Sequence, residues 1–241
     1  MKRSSALLLV LLGLWFGHAE SVFCAPQFIN LDFESAQVPN LPAGQAGGDV
    51  SINDAFPGWK FFVGSQERPF AVHNDVNLGA NGVSILGPNF GAPNQILSGN
   101  YTAVLQGAYN YNLDNANASL AQVGEVPDWA NSIQFKLSPY TDSFRVSLSG
   151  NSLQLTALET TATYTIMGAD VSWYKGSTSE LRFTSYYQGF RYINYHYLDD
   201  IVFSPDAVPE PGVITLWCAG GMMGWWLVRQ GRRTCKPQNV G

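Results

Sequence analysis

Apolar residues occupy alternate positions in six short stretches of the chain: 28–33, 132–137, 144–148, 152–156, 180–184 and 198–203. A period of two turns one side of an extended chain toward a core and the other toward water, so each stretch predicts a β-strand. Ser149-Gly150-Asn151, between two of them, predicts a tight hairpin turn. The Gly, Asn and Pro content of 38–54 and 79–99 predicts long loops, which suit a sandwich better than a small barrel. No helical period lasts three turns outside two apolar runs near the ends, and no repeat of fixed period is present.

Those two runs carry the clearest signals. Lys2 and Arg3 precede the apolar residues 6–16, and Gly17-His18-Ala19 supplies small residues where a signal peptidase reads, so 1–19 is expected to be a secretory signal peptide cleaved after Ala19. Ser21-Val22-Phe23 lacks the small residues that a lipoprotein signal needs before Cys24. Residues 213–228 carry no charge, and as a helix they would rise ~24 Å against a hydrocarbon core of ~30 Å. Trp217, Trp225 and Trp226 suit the membrane–water boundary, and Ala219, Gly220, Gly221 and Gly224 leave one side thin. Pro209 and Pro211 end the preceding domain, and Arg229, Arg232 and Arg233 close the run. A core helix seldom lacks any polar face and then stops at an arginine cluster, so a single transmembrane helix is expected.

Val208-Pro209-Glu210-Pro211, the apolar span and the arginine cluster together resemble the PEP-CTERM sorting signal of Gram-negative bacteria. The resemblance covers 208–233. It implies export to the cell envelope and cleavage near Pro-Glu-Pro by an exosortase, a membrane-embedded enzyme of cysteine transpeptidase type. Val208, Pro209, Glu210 and Pro211 would be its recognition box, and Arg229, Arg232 and Arg233 the stop. The protein would first be anchored by its C-terminal helix and then reach the cell surface or extracellular matrix. Residues 234–241 run on where family members end almost at once, and they are expected to form a short cytoplasmic tail.

The expected organisation is thus a signal peptide 1–19, an extracytoplasmic β domain 20–206, a sorting signal 207–233 and the tail. Between Glu20 and Val208 stand seven basic residues against seventeen acidic ones, a net charge of −10, and every other Lys and Arg flanks an apolar run. That distribution follows the positive-inside rule with the middle of the chain translocated. The acidic body also excludes nucleic acid as a partner. It holds only Cys24, so the domain must rest on its own core rather than on an internal disulfide.

Within the body, Asn30-Leu-Asp-Phe-Glu34, Pro57-Gly58-Trp59 and Tyr197-Leu-Asp-Asp-Ile-Val-Phe203 resemble, in type and order, the galactose-binding-like jelly roll of many carbohydrate-binding modules. The likeness implies that the first stretch is a strand opening the sheet, that Trp59 is buried beneath it and that the last strand closes it beside the first. Such modules often hold a structural Ca²⁺ through acidic residues at these places, here Glu34 and Asp200, with Asp32 or Asp199 less well placed. Ca²⁺ prefers six to eight oxygen ligands, and Asp199 and Asp200 face opposite sides of a strand. The plainer alternative leaves Asp199 a solvated edge charge and gives Asp200 backbone donors. No other cofactor is implied.

Residues 185–197 crowd aromatic rings around Gly189. Sugar C–H faces pack on such rings while amides bond their hydroxyls, so Tyr187, Phe190, Tyr192, Asn194 and Tyr195 could form a saccharide platform. An ordinary hairpin whose tyrosines cross-pair accounts for them as well and is the preferred reading. Trp59, Trp129 and Trp173 are expected in the core. His73 and His196 are expected to satisfy local hydrogen bonds. Motifs for nucleophilic, metallopeptidase or phosphate-loop chemistry are absent, so the expectation is a non-catalytic envelope or matrix protein, contacting exopolysaccharide. A polysaccharide hydrolase or lyase on the same scaffold is the alternative, since a glycosidase needs only two carboxylates across a cleft.

Overall fold

The computed structural model describes residues 25–91, 95–108, 117–139, 141–187 and 194–209. The expected signal peptide and membrane span lie outside these residues, as do Glu210, Pro211, Arg229, Arg232, Arg233, Phe190 and Tyr192. Among the described residues no helix is long and apolar enough to cross a membrane.

The described chain is almost wholly β. In order it forms β1 (Gly48–Ser51), the single-turn helix α1 (Ile52–Ala55), β2 (Lys60–Val63), β3 (Gln66–Arg68), β4 (Phe70–His73), β5 (Gly82–Leu86), β6 (Thr102–Gly107), β7 (Asn117–Glu125), β8 (Ser132–Ser138), β9 (Phe144–Leu148), β10 (Asn151–Ser152), β11 (Thr156–Thr160), β12 (Thr165–Asp170), β13 (Thr178–Tyr186) and β14 (Asn194–Ser204). One sheet runs β1-β4-β5-β6-β14-β8-β12-β11 and the other β10-β9-β13-β7-β2-β3. The protein is an all-β sandwich of these two sheets.

Between the sheets lies one aromatic-rich core. Phe183 meets Phe135 edge-on at 5.2 Å and Trp59 at 6.1 Å, and Trp59 meets Phe33 at 5.8 Å. Such tilted contacts add to the burial of large rings. A smaller cluster covers the outer side of the larger sheet, where Val76, Phe90 and Ile96 from the 74–101 region pack on Leu86, Val104 and Tyr197. β5 and β6 are therefore buried on both faces.

Four of the expected strands stand as read: 132–137, 144–148, 180–184 and 198–203 fall within β8, β9, β13 and β14. Ser149 and Gly150, both at positive φ, make the two-residue turn between paired Leu148 and Asn151. Residues 28–33 are a correction. Asn30 and Phe33 take positive φ, so the segment turns rather than extends, and it caps the core over Trp59, whose Nε1 donates to Asn30 O at 3.0 Å. One bond, from Ile201 N to Leu31 O, ties it to β14. Residues 152–156 also divide, because the chain there leaves β10 in one sheet for β11 in the other. The stretches 38–54 and 79–99, expected as loops, contain β1, α1 and β5.

The sandwich has two distinct ends. At the exit end, β7, β12 and β14 stop, β8 and β13 begin, and the chain departs. At the far end, β5 and β14 begin while β2, β6 and β13 stop.

Candidate functional site

A groove of about 480 Å³ opens at the far end. One wall is the crossover from β3 to β4, where Arg68-Pro69-Phe70 passes between sheets and Ile52 N donates to Pro69 O at 2.9 Å. The other wall is the 77–81 loop, held by Gln106: its Oε1 accepts from Leu78 N at 3.3 Å and its Nε2 donates to Ala80 O at 2.7 Å. Asn81 Oδ1 accepts from Ala108 N at 2.5 Å, which commits the oxygen and leaves Nδ2 as the free side of the amide. Asn81 Nδ2 and Arg68 Nε are buried donors without a hydrogen-bond partner among the described residues. Native proteins seldom leave such groups unpaired, so each calls for an acceptor. Phe70 is 56% exposed beside them, Phe61 and Val63 form the floor, and Asp49 supplies one carboxylate.

The expected aromatic platform belongs to the same end but is only partly assembled among the described residues. Tyr187 follows β13, and Asn194 and Tyr195 open β14. Asn194 Nδ2 donates to Tyr186 O at 3.1 Å and its backbone carbonyl accepts from Ser185 Oγ at 3.2 Å, so it ties the start of β14 to the end of β13 across the two sheets. Those strands do not pair, and the expected hairpin with cross-paired tyrosines is a correction. Tyr195 is 42% exposed and stands edge-on to Tyr197 at 5.8 Å, a side-chain pair on one face of β14.

The acidic residues cluster elsewhere, around the 97–102 loop. Glu34 Oε1 accepts from the backbone N of Asn100 at 2.7 Å and of Tyr101 at 3.0 Å, while Oε2 accepts from Asn100 Nδ2 at 2.9 Å. Asp199 Oδ2 accepts from Ser98 N at 3.0 Å and Thr102 Oγ1 at 2.6 Å, and Oδ1 from Asp200 N at 2.7 Å. A bulge in β14 follows Asp199, with Asp200 at positive φ, and Asp200 meets Lys136 Nζ at 3.0 Å. Lys136 also donates to Ser98 Oγ at 3.0 Å. The expected Ca²⁺ residues Glu34 and Asp200 thus face N–H groups and an ammonium, partners that a metal ion would have to displace. Among the described residues no three His, Cys, Asp or Glu side chains converge on a metal position. This donor set does not fit a calcium ion.

Burial pushes the Asp199 carboxyl up to about 7, against the pull of its Thr102, Asp200 and Ser98 donors, and the Asp200 carboxylate adds to the rise. His196 is held down to about 4 by burial. Its Nδ1 lies 2.9 Å from Ser185 Oγ and its Nε2 2.9 Å from Thr141 Oγ1, so the ring is spent on local hydrogen bonds. Burial lowers His73 as well.

Trp59 is in the core as expected, but Trp129 and Trp173 are not. Trp129 is 56% exposed on the loop after β7, and Trp173 is 91% exposed on the single 3₁₀ turn Ser172–Tyr174 after β12. Both loops lie at the exit end, and neither places a strand face where the indole could turn inward. The chemistry at the far end was hidden for another reason. Arg68, Phe70 and Asn81 belong to no motif, and only the crossing of β3 and β4 brings them together. The one hint was that Arg68 is among the few basic residues of an acidic body.

No protein-family model matches the chain. No curated protein matches it. Among solved structures, the K1 cleaved adhesin domain of Lys-gingipain from Porphyromonas gingivalis W83 is similar at 15% identity, with 66% of this chain and 96% of that chain covered and a TM-score of 0.33. A likeness that slight carries no fold detail, ligand or activity to this protein.

Proposed function

We propose that this is an exported, non-catalytic protein of the cell envelope or extracellular matrix, sorted by its PEP-CTERM-type C-terminal signal. Its β-sandwich is a jelly roll that contacts exopolysaccharide from the far end. The observation that carries the saccharide contact is the exposed Phe70 ring over a groove in which Arg68 Nε and Asn81 Nδ2 lack acceptors. A sugar ring stacks its C–H face on such a phenyl and offers hydroxyl oxygens to the donors, while Asp49 accepts a hydroxyl proton. Tyr195, at the same end, is a further exposed ring.

The hydrolase alternative requires a second carboxylate across the cleft from Asp49, and among the described residues none lines this groove. The sorting half of the proposal rests on 208–233: an exosortase would read Val208 to Pro211 and cut beside them. Val208 and Pro209 are described, and Val208 lies against Gly168 of β12, so the box follows directly on the folded domain with no long linker.

Affinity electrophoresis through gels cast with the producing cells' own exopolysaccharide tests the contact. The wild-type protein should be retarded relative to a dextran gel, and Phe70→Ala and Arg68→Gln should each run faster. Equal mobility of all three in both gels would remove the saccharide from the proposal. Intact mass of the envelope and released forms tests the sorting separately. Loss of everything beyond about 209–212 supports processing, and retention of peptides from 229–241 in every fraction overturns it.

A further inference from the structure

The exit end carries two tryptophans that the domain does not use. An indole left in water forfeits the burial that makes so large a ring favourable. Trp129 and Trp173 stand on loops stitched to each other and to the departing chain. Val171 N donates to Asn131 O at 3.0 Å, Gly176 N to Val126 O at 2.8 Å and Asn131 N to Ser204 O at 2.8 Å. Asn131 Nδ2 reaches Pro205 O at 2.5 Å, and Lys175 Nζ reaches Asn131 Oδ1 at 2.6 Å. Beside Trp129 opens a groove of about 580 Å³ walled by Phe28, Val202 and Phe203. The described chain ends at Pro209, and four residues on, at Val213, the apolar run begins. Four residues reach at most ~14 Å.

With so short a tether, the end of the domain nearest Pro209 must lie at the membrane surface whenever 213–228 is inserted. We infer that the exit end then rests on the bilayer, with Trp129 and Trp173 among the lipid headgroups. This rests on the reading of 213–228 as a span. The headgroup layer is where indoles partition best, since it accepts the ring and its N–H together. Lys175 adds a cation for lipid phosphate, while Glu125, Asp128, Asp170 and Asp206 are the acids at this end and keep the contact shallow. The saccharide groove at the opposite end faces away from the lipid in this arrangement.

The test uses the full chain in nanodiscs of phosphatidylethanolamine and phosphatidylglycerol, with the lipids brominated either near the headgroup or at mid-chain. With Trp15 replaced by Phe in every sample and Trp59 buried in the core, quenching in the Trp129→Phe/Trp173→Phe variant reports the span tryptophans 217, 225 and 226, and the difference from the Trp15→Phe parent reports Trp129 and Trp173. Quenching of the difference emission by shallow bromine, with a blue shift, is the expected result. Quenching of the variant but not of the difference emission would leave the span standing and overturn the docking. An unquenched variant would overturn the span and the docking with it. Protection of the difference emission by added exopolysaccharide, without bromine quenching, would give this end to a glycan instead and also overturn the docking.

Discussion

Replacing Asp199 by Asn should tilt the pH dependence of stability, and the size of the tilt follows from two buried groups. Asp199 is fully buried, and its carboxyl is pushed up to about 7 from its ordinary 3.8, chiefly by desolvation. A raised carboxyl pKa stabilises the fold fully below the unfolded value, and that stability is lost as pH rises toward 7, at ~1.4 kcal/mol per unit. His196, equally buried, is held down to about 4 from 6.5. Its contribution is present above 6.5 and is lost as pH falls toward 4, at the same rate with the opposite sign. Between about pH 4 and 6.5 the two slopes cancel, so neither leaves a trace in the wild-type profile. Asp199→Asn removes one of them. Urea unfolding at several pH values across that window should show the stability of the variant, relative to wild type, rising by roughly 1 kcal/mol per pH unit. His196→Asn should show the opposite slope. Constant offsets from misplaced amide hydrogens do not matter, because only the slope of the difference is read. Parallel profiles for wild type and Asp199→Asn would refute the reasoning: the Ser98, Thr102 and Asp200 donors would then outweigh desolvation and keep the carboxylate ionised throughout.

Three further outcomes follow from the clamp on the 97–102 loop. Gly99 sits at φ +55 with the Glu34 carboxylate packed where a Cβ would go, so Gly99→Ala should cost about 2 kcal/mol or more in urea unfolding. Glu34→Gln keeps one acceptor oxygen but turns an amide N–H toward a donor, and it should lower stability by roughly 1–3 kcal/mol. Dialysis against a chelator should leave the melting temperature unchanged, whereas a calcium-dependent rise would mean that Glu34 and Asp200 swing from their N–H and ammonium partners onto an ion.

How much of this was legible in the sequence depends on what covers each strand. β8, β9, β13 and β14 alternate because one face meets the core and the other meets water or polar neighbours, and their pattern could be read directly. β5 and β6 could not, since loop residues bury their outer face as well and Gly-Val-Ser-Ile-Leu and Thr-Ala-Val-Leu-Gln-Gly show no period. Residues 28–33 misled in the other direction. Phe28, Leu31 and Phe33 find the core from a turn, which the alternation of a short segment does not distinguish from a strand. Asp199 and Asp200 were read as a pair of unlike environments but the wrong way round: Asp199 is the buried carboxyl on Ser98, Thr102 and Asp200 donors, and Asp200 is the half-exposed one, because the bulge that sends it to Lys136 has no local signature. Arg68 and Asn81 meet only through tertiary crossing, so no reading along the chain could have joined them.

The outermost strands decide how the sandwich behaves when many copies are crowded together. A β-sheet edge is an unfinished ladder that can recruit a second copy, and among the described residues the outermost strands are β1 and β11 of one sheet and β10 and β3 of the other. All are short, at four, five, two and three residues. β3 carries Glu67 and Arg68, β10 is Asn151 and Ser152, and β11 is interrupted by a register shift between Ala157 and Glu159. Each edge therefore offers a neighbour too few aligned amides to seed a growing strand stack. The molecule can be packed at high local density and stay a collection of separate domains rather than becoming a fibre.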